Sequence, residues 1–98
     1  MPKPTIKNIN IVFDVLLEKN EIHPSNRDSI VNYLTEPPSK YGSTFREYRF
    51  CGSLGFGGKL RWHNNDVPYV DCYKEDETPE RNLKIKTINE ILSKKFGI

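Results

Sequence analysis

The sequence predicts a single small α+β domain in which two helices precede a three-stranded antiparallel meander and a final helix follows it. Apolar residues recur at helical spacing in the first third of the chain and again near its end, but alternate with period 2 between residues 44 and 73. Turn and cap signals sit at the junctions: Pro24-Ser25, Pro37-Pro38, Asn64-Asn65-Asp66 and Thr78-Pro79. The 98 residues leave room for one core and no second folding unit, so the domain spans 1–98.

Residues 1–5 hold two prolines and read as a flexible arm, with Thr5 or Asn8 offering a helix cap. Ile9, Val12, Phe13, Leu16 and Leu17 then line one helical face, and Asn10, Asp14, Glu18 and Lys19 the other. Its β-branched residues leave a strand as the rival reading of 9–13. Ser25 followed by Asp28 is close to a capping box and starts a second helix. That helix ends near Leu34 or Thr35, because Pro37-Pro38 removes two backbone donors and disfavours helical geometry before it. Residues 39–43 form a loop.

The middle strand is read by parity. Leu54, Phe56, Gly58, Leu60 and Trp62 share the core face; Gly55, Gly57, Lys59, Arg61 and His63 share the other. A two-residue turn at Asn64-Asn65 would bury the Asp71 carboxylate, whereas a three-residue loop ending at Asp66 pairs Leu60 with Val70 and Gly58 with Cys72 inside. Outside, it pairs Arg61 with Tyr69, Lys59 with Asp71, and Gly57 with Tyr73, so that opposite charges meet and a tyrosine covers a bare glycine. Asn65 or Asp66 supplies the left-handed residue such a loop needs. In the first strand Tyr48 and Phe50 point inward and Glu47, Arg49 and Cys51 outward; the 52–58 connection is either a tight turn or a long loop. Thr78-Pro79-Glu80 marks the last helix by cap hydroxyl, first-position proline and first-turn acid. It runs to about Lys95, with Leu83, Ile88, Ile91 and Leu92 as its apolar stripe and Lys94 and Lys95 complementing the dipole.

The 15 Lys and Arg against 13 Asp and Glu give a net charge of only +2, which excludes a histone-like neutraliser of DNA. The total hides a division: residues 39–64 carry +4, 65–80 carry −5, 81–98 carry +4 and 1–38 carry −1. With the helices on the core face, the other sheet face displays Glu47, Arg49, Lys59, Arg61, His63, Tyr69 and Tyr73. Cations interleaved with tyrosines suit single-stranded nucleic acid, whose phosphates follow the charges while bases stack on rings. The residues expected to carry that binding, or the binding of a partner protein, are Arg49, Lys59, Arg61, His63, Tyr69 and Tyr73. An ordinary solvated sheet face has the same composition.

Other motifs point to less. Helix, three strands and helix is similar in order to the double-stranded RNA-binding domain. The resemblance is one of topology: that family's basic motif would fall near residues 78–81, where this chain has Glu75, Asp76, Glu77 and Glu80. GSLGFGGK, residues 52–59, resembles a phosphate loop but lacks the first glycine and the hydroxyl after Lys59, and a strand follows it. The acids Asp71, Glu75, Asp76, Glu77 and Glu80 suit a helix N-terminus, and Glu75, Asp76 and Glu77 also offer a surface for a basic partner. Cys51, His63, Cys72 and His23 have no zinc-ligand spacing, and Cys51 with His63 has no orienting group for nucleophilic catalysis. Cys72 reads as a small core residue.

No apolar run approaches the ~20 residues that span a bilayer, and no signal-peptide pattern follows Met1. Two cysteines make a disulfide framework improbable, so the expectation is a cytoplasmic protein with reduced thiols. The chain contains neither Ala nor Gln but much Asn, Lys and Ile, a bias of AT-rich genes such as those of many Gram-positive bacteria or their phages and mobile elements. Together these features predict a binding protein without catalysis, metal or cofactor. Its partner is nucleic acid or, as the alternative, a host protein such as a defence enzyme that it inhibits or modulates. The edge strand at 44–50 offers a route to a homodimer.

Overall fold

A computed structural model of the chain describes residues 3–36, 45–51 and 57–97. Pro37-Pro38, the 39–43 loop, most of the 52–58 connection and the side chain of Cys51 therefore lie outside the described residues. The order is α1 (Ile6–Glu18), a 3₁₀ turn (Pro24–Asn26), α2 (Arg27–Thr35), β1 (Phe45–Cys51), β2 (Gly57–His63), β3 (Tyr69–Cys72), a second 3₁₀ turn (Lys74–Asp76) and α3 (Pro79–Lys95). This is the α+β arrangement that the periodicities predict.

Thr5 caps α1 by accepting from the Asn8 amide. At the other end Asn20 adopts a left-handed conformation (φ 55°), and the Glu21 amide reaches back to the Leu16 carbonyl at 2.8 Å, a Schellman-type ending. The capping of α2 differs from the expectation on Ser25. His23 caps the preceding 3₁₀ turn: its Nδ1 accepts from the Ser25 amide at 3.1 Å and lies 2.7 Å from the Ser25 hydroxyl. Pro24 extends the approach by one 3₁₀ turn, so Ser25 sits inside the turn rather than at its start. Arg27 then ties α2 to α1, donating to Asn10 Oδ1 (2.7 Å) and Asp14 Oδ1 (2.9 Å) with its guanidinium 4.4 Å from the centre of the Phe13 ring.

The strands lie in the order β1-β2-β3, both pairs antiparallel. The β2–β3 register is the predicted one: Gly58 faces Cys72, Lys59 faces Asp71, Leu60 faces Val70 and Arg61 faces Tyr69. Asn65 takes the left-handed conformation at φ 71°. Glycine positions supply the geometry behind that register. A Cβ on Gly57 would come within 2.6 Å of the Tyr73 ring, and one on Gly58 within 2.6 Å of the Phe50 ring. One tyrosine covers the outer surface of β2 and one phenylalanine the inner, each lying where a side chain would otherwise stand.

All the helices pack on the inner face. Tyr48, Phe50, Leu60, Trp62, Val70 and Cys72 from the sheet meet Ile9, Val12, Phe13, Leu16, Ile30, Leu34, Ile85, Ile88 and Leu92 from the helices. Trp62 is fully buried, edge-on to Phe96 at 5.8 Å. The stripe of α3 differs from the expectation at one end. Leu83 is 65% exposed, while Arg81 and Ile85 are buried, because the helix turns the 81, 85, 88, 92 row toward the core. No helix among the described residues is long and apolar enough to cross a membrane.

Candidate functional site

Strand alternation places Glu47, Arg49, Lys59, Arg61, His63, Tyr69 and Asp71 on the outer sheet face, with Tyr73 just beyond the end of β3. The predicted site residues are thus brought together, but they are not arranged as independent cations and rings. Glu47 sits between two guanidiniums, its Oε2 3.3 Å from Arg49 Nε and its Oε1 3.0 Å from Arg61 Nε. Partial burial disfavours the charge on Glu47, yet hydrogen bonds from Arg61 and Arg49 outweigh this and hold its carboxyl below the ordinary value. Tyr69 and then Glu47 raise the Arg61 pKa further, and Asp71 approaches its Nη1 diagonally at 3.8 Å. The cross-strand pairing expected of Lys59 with Asp71 holds in the backbone register, but the Lys59 ammonium turns to the Tyr73 ring, 4.9 Å from its centre.

Tyr73 thus packs against Gly57 and carries the Lys59 ammonium over its ring, remaining only partly exposed. Tyr69 keeps 42% of its surface exposed. His63 is exposed and packs against Phe45, ring centres 4.9 Å apart.

Glu75 and Asp76 lie in the 3₁₀ turn before α3 and Glu77 follows it, all on the N-terminal side of a helix capped by the Thr78 hydroxyl. Their placement serves the positive end of the α3 dipole. Among the described residues no group of three His, Cys, Asp or Glu side chains stands close enough to hold a metal ion. Cys72 is buried, and burial pushes its thiol pKa up; its nearest polar contact is Asn82 Oδ1 at 3.9 Å. Gly57, Gly58 and Lys59 belong to strand β2 and line no helix N-terminus, so phosphate-loop geometry is absent from that part of the motif.

Two arrangements lie outside the sequence expectations. Glu21 is buried to 1% exposure beside Arg81 at 7%, with Arg81 Nη1 donating to Glu21 Oε2 at 2.5 Å. Arg81 Nη2 also donates to the Gly57 carbonyl (2.8 Å), and Lys84 Nζ reaches the Asn20 carbonyl (3.2 Å) and Glu21 Oε2 (3.5 Å). This cluster fastens the end of α1, the start of β2 and the first turns of α3 together. The second is at the β3 edge, where Asn89 accepts from the Val70 amide (2.8 Å) and donates to the Val70 carbonyl (3.0 Å). A side-chain amide thereby takes the place of a neighbouring strand's peptide and closes that edge.

The molecule is thus a small α+β protein with helices on one side of a three-stranded sheet and a polar, aromatic face on the other. Comparison of the chain with protein-family models, with curated proteins and with solved structures found no match.

Proposed function

We propose that the protein acts by binding, without chemistry of its own, and that its outer sheet face recognises a partner protein. The observation that supports this reading is Glu47 held between Arg49 and Arg61. Binding to a polyanion draws its affinity from cations that exchange counterions for phosphates. Here Arg61 is already engaged by Glu47 and Asp71, Arg49 by Glu47, and Lys59 rests on Tyr73, so the face is close to neutral and its side chains are ordered in advance. Ordered Tyr and Arg in a nearly neutral patch are the composition of protein interface centres. The AT-rich bias of the composition is that of many Gram-positive bacteria or their phages and mobile elements, and for a phage or mobile-element gene the partner class is a host protein.

Nucleic acid is the second reading, favoured by the exposed Tyr69 ring beside Arg61. One experiment separates the two. The purified protein is used as bait in nuclease-treated host lysate, with Tyr69→Ala and Arg49→Ala as matched baits, and is titrated in parallel with labelled single- and double-stranded oligonucleotides at two salt concentrations. The protein reading expects a complex that survives nuclease and weakens by about tenfold or more in both variants, since interface centres concentrate energy in such residues. Oligonucleotide binding that falls steeply with salt, or capture indifferent to both substitutions, would overturn it.

A further inference from the structure

Resting on the protein-binding reading, we propose that the cleft between α2 and β1 is an anchor pocket for a carboxylate side chain, Asp or Glu, of the partner. The cleft has a volume of about 550 Å³ and is lined by Ser29, Tyr33, Glu47, Tyr48 and Arg49. Glu47 and Arg49 belong both to this lining and to the outer sheet face, so the cleft opens onto the same surface. Its volume suits one or two side chains rather than a groove-filling helix.

The walls are fixed. Tyr48 is 5% exposed, with its hydroxyl 3.1 Å from Asn26 Oδ1 and 3.0 Å from Ser29 Oγ. The amide of Asn26 is oriented by donation of its Nδ2 to the His23 carbonyl, so Oδ1 can only accept. The single Tyr48 proton therefore goes to Asn26, and Ser29 donates to Tyr48. Tyr33 is tilted 55° against Tyr48, ring centres 5.7 Å apart, and remains 48% exposed.

The polar inventory then selects the ligand. Each Glu47 oxygen already receives a guanidinium. Ser29 has spent its proton. Arg49 uses Nε toward Glu47, which leaves its two terminal nitrogens and the Tyr33 hydroxyl as donors facing the solvent, on a side chain 66% exposed. Two parallel N–H donors of a guanidinium match the two oxygens of a carboxylate, and a tyrosine ring accommodates the aliphatic stem behind it. A singly charged carboxylate is favoured over a dianionic phosphate because Glu47, beside Arg49, repels the second charge. The exposed guanidinium of Arg49 disfavours a lysine or arginine ligand, whose own positive charge it would repel.

The test is a titration of isotope-labelled protein, followed by the NMR signals of the Arg49 Nε–H and of the Ser29 and Tyr33 amides. Three probes are compared at constant ionic strength: N-acetylglutamate methylamide, its neutral glutamine counterpart, and inorganic phosphate. The proposal expects saturable shifts at these three sites with the glutamate probe and none with the glutamine probe. Binding should weaken by about tenfold in Arg49→Gln and less in Arg49→Lys, which keeps the charge and loses the fork. Equal response to both organic probes, shifts spread over every surface cation, or tighter saturation by phosphate would overturn the carboxylate assignment. In the captured complex, loss on Tyr33→Ser supports the pocket. Loss on Tyr69→Ala with full retention on Tyr33→Ser overturns the pocket and leaves the sheet-face reading standing, while indifference to both Tyr69→Ala and Arg49→Ala defeats the reading itself.

Discussion

Among the described residues, replacing Arg81 by methionine removes the only guanidinium bonded to a carboxylate that is itself out of water. Glu21 is 1% exposed, and its Oε1 makes no hydrogen bond, lying 3.4 Å from where a Gly58 Cβ would stand. Stranding one member of a buried ion pair costs about 3–5 kcal/mol. Lys84, 3.5 Å from the same carboxylate and one-third exposed, recovers part of that, which puts the expected loss near the lower figure, about 3 kcal/mol. The bond from Arg81 to the Gly57 carbonyl adds about 1 kcal/mol of its own. Trp62, fully buried and the single tryptophan, reports unfolding in urea. With a urea dependence of about 1 kcal/mol per molar for a domain of this size, the combined loss of about 4 kcal/mol lowers the midpoint by about 4 M. Glu21→Gln, which keeps an acceptor for Arg81, is expected to lose less. The double variant Glu21→Leu with Arg81→Met should recover much of the loss, because it leaves no buried charge. A loss below about 1 kcal/mol in Arg81→Met, or a double variant that simply adds the two single losses, would refute the reasoning and place the pair in effectively aqueous surroundings.

Gly58→Ala drives a Cβ to 2.6 Å from the buried Phe50 ring and should cost about 1–3 kcal/mol in the same urea assay. Gly57→Ala meets the same distance at Tyr73, which lies on the outer face and can swing away, so it should cost less and should displace Lys59 from the ring, visible as a shift of the Tyr73 aromatic protons. Asn89→Ala deletes both bonds to Val70 and is expected to cost about 1–2 kcal/mol while accelerating hydrogen exchange at the Val70 amide; unchanged exchange would show that water replaces the side chain at no cost. Glu47, with its carboxyl held below the ordinary 4.5 in the folded protein, contributes stability that is complete above that value and lost as pH falls through the lowered one. Thermal melts below pH 4.5 should therefore fall more steeply for the parent than for Glu47→Gln, and parallel curves would contradict the ion-pair assignment.

The sheet was legible because its information is local and redundant. Parity, the charge pairs and the need to keep Asp71 out of the core all chose the same loop, and the β2–β3 pairing follows that choice residue by residue. The outer-face membership of Arg49, Lys59, Arg61, His63, Tyr69 and Tyr73 came with it. What those residues do to one another did not, since rotamers decide whether Asp71 meets Lys59 or Arg61. The buried pair was invisible for a different reason: Glu21 and Arg81 each look like surface charges, and their contact spans sixty residues. A clue lay in position 81, which shares the helical row of Ile85, Ile88 and Leu92 and so implies a buried cation in need of a partner. Leu83 misled because a residue's hydrophobicity does not fix the side of α3 to which it belongs. His23 displaced Ser25 as a cap because Pro24 starts a 3₁₀ turn ahead of α2, a detail that a capping-box spacing does not encode.

The bond between Glu21 and Arg81 also orders events in time. A ribosome makes α1 and the Glu21 carboxylate just beyond it before the rest of the fold, yet sixty further residues must be added before the matching guanidinium exists. Until then Glu21 is better solvated by water than by the protein, so burial of the α1 terminus is disfavoured until Arg81 has been added. The nascent helix and strands can associate only loosely, and the domain becomes committed to its final packing when α3 arrives. The seventeen-residue helix α3, Pro79–Lys95, thus acts as the latch of folding, and truncation before it leaves a chain with its sheet written but not locked.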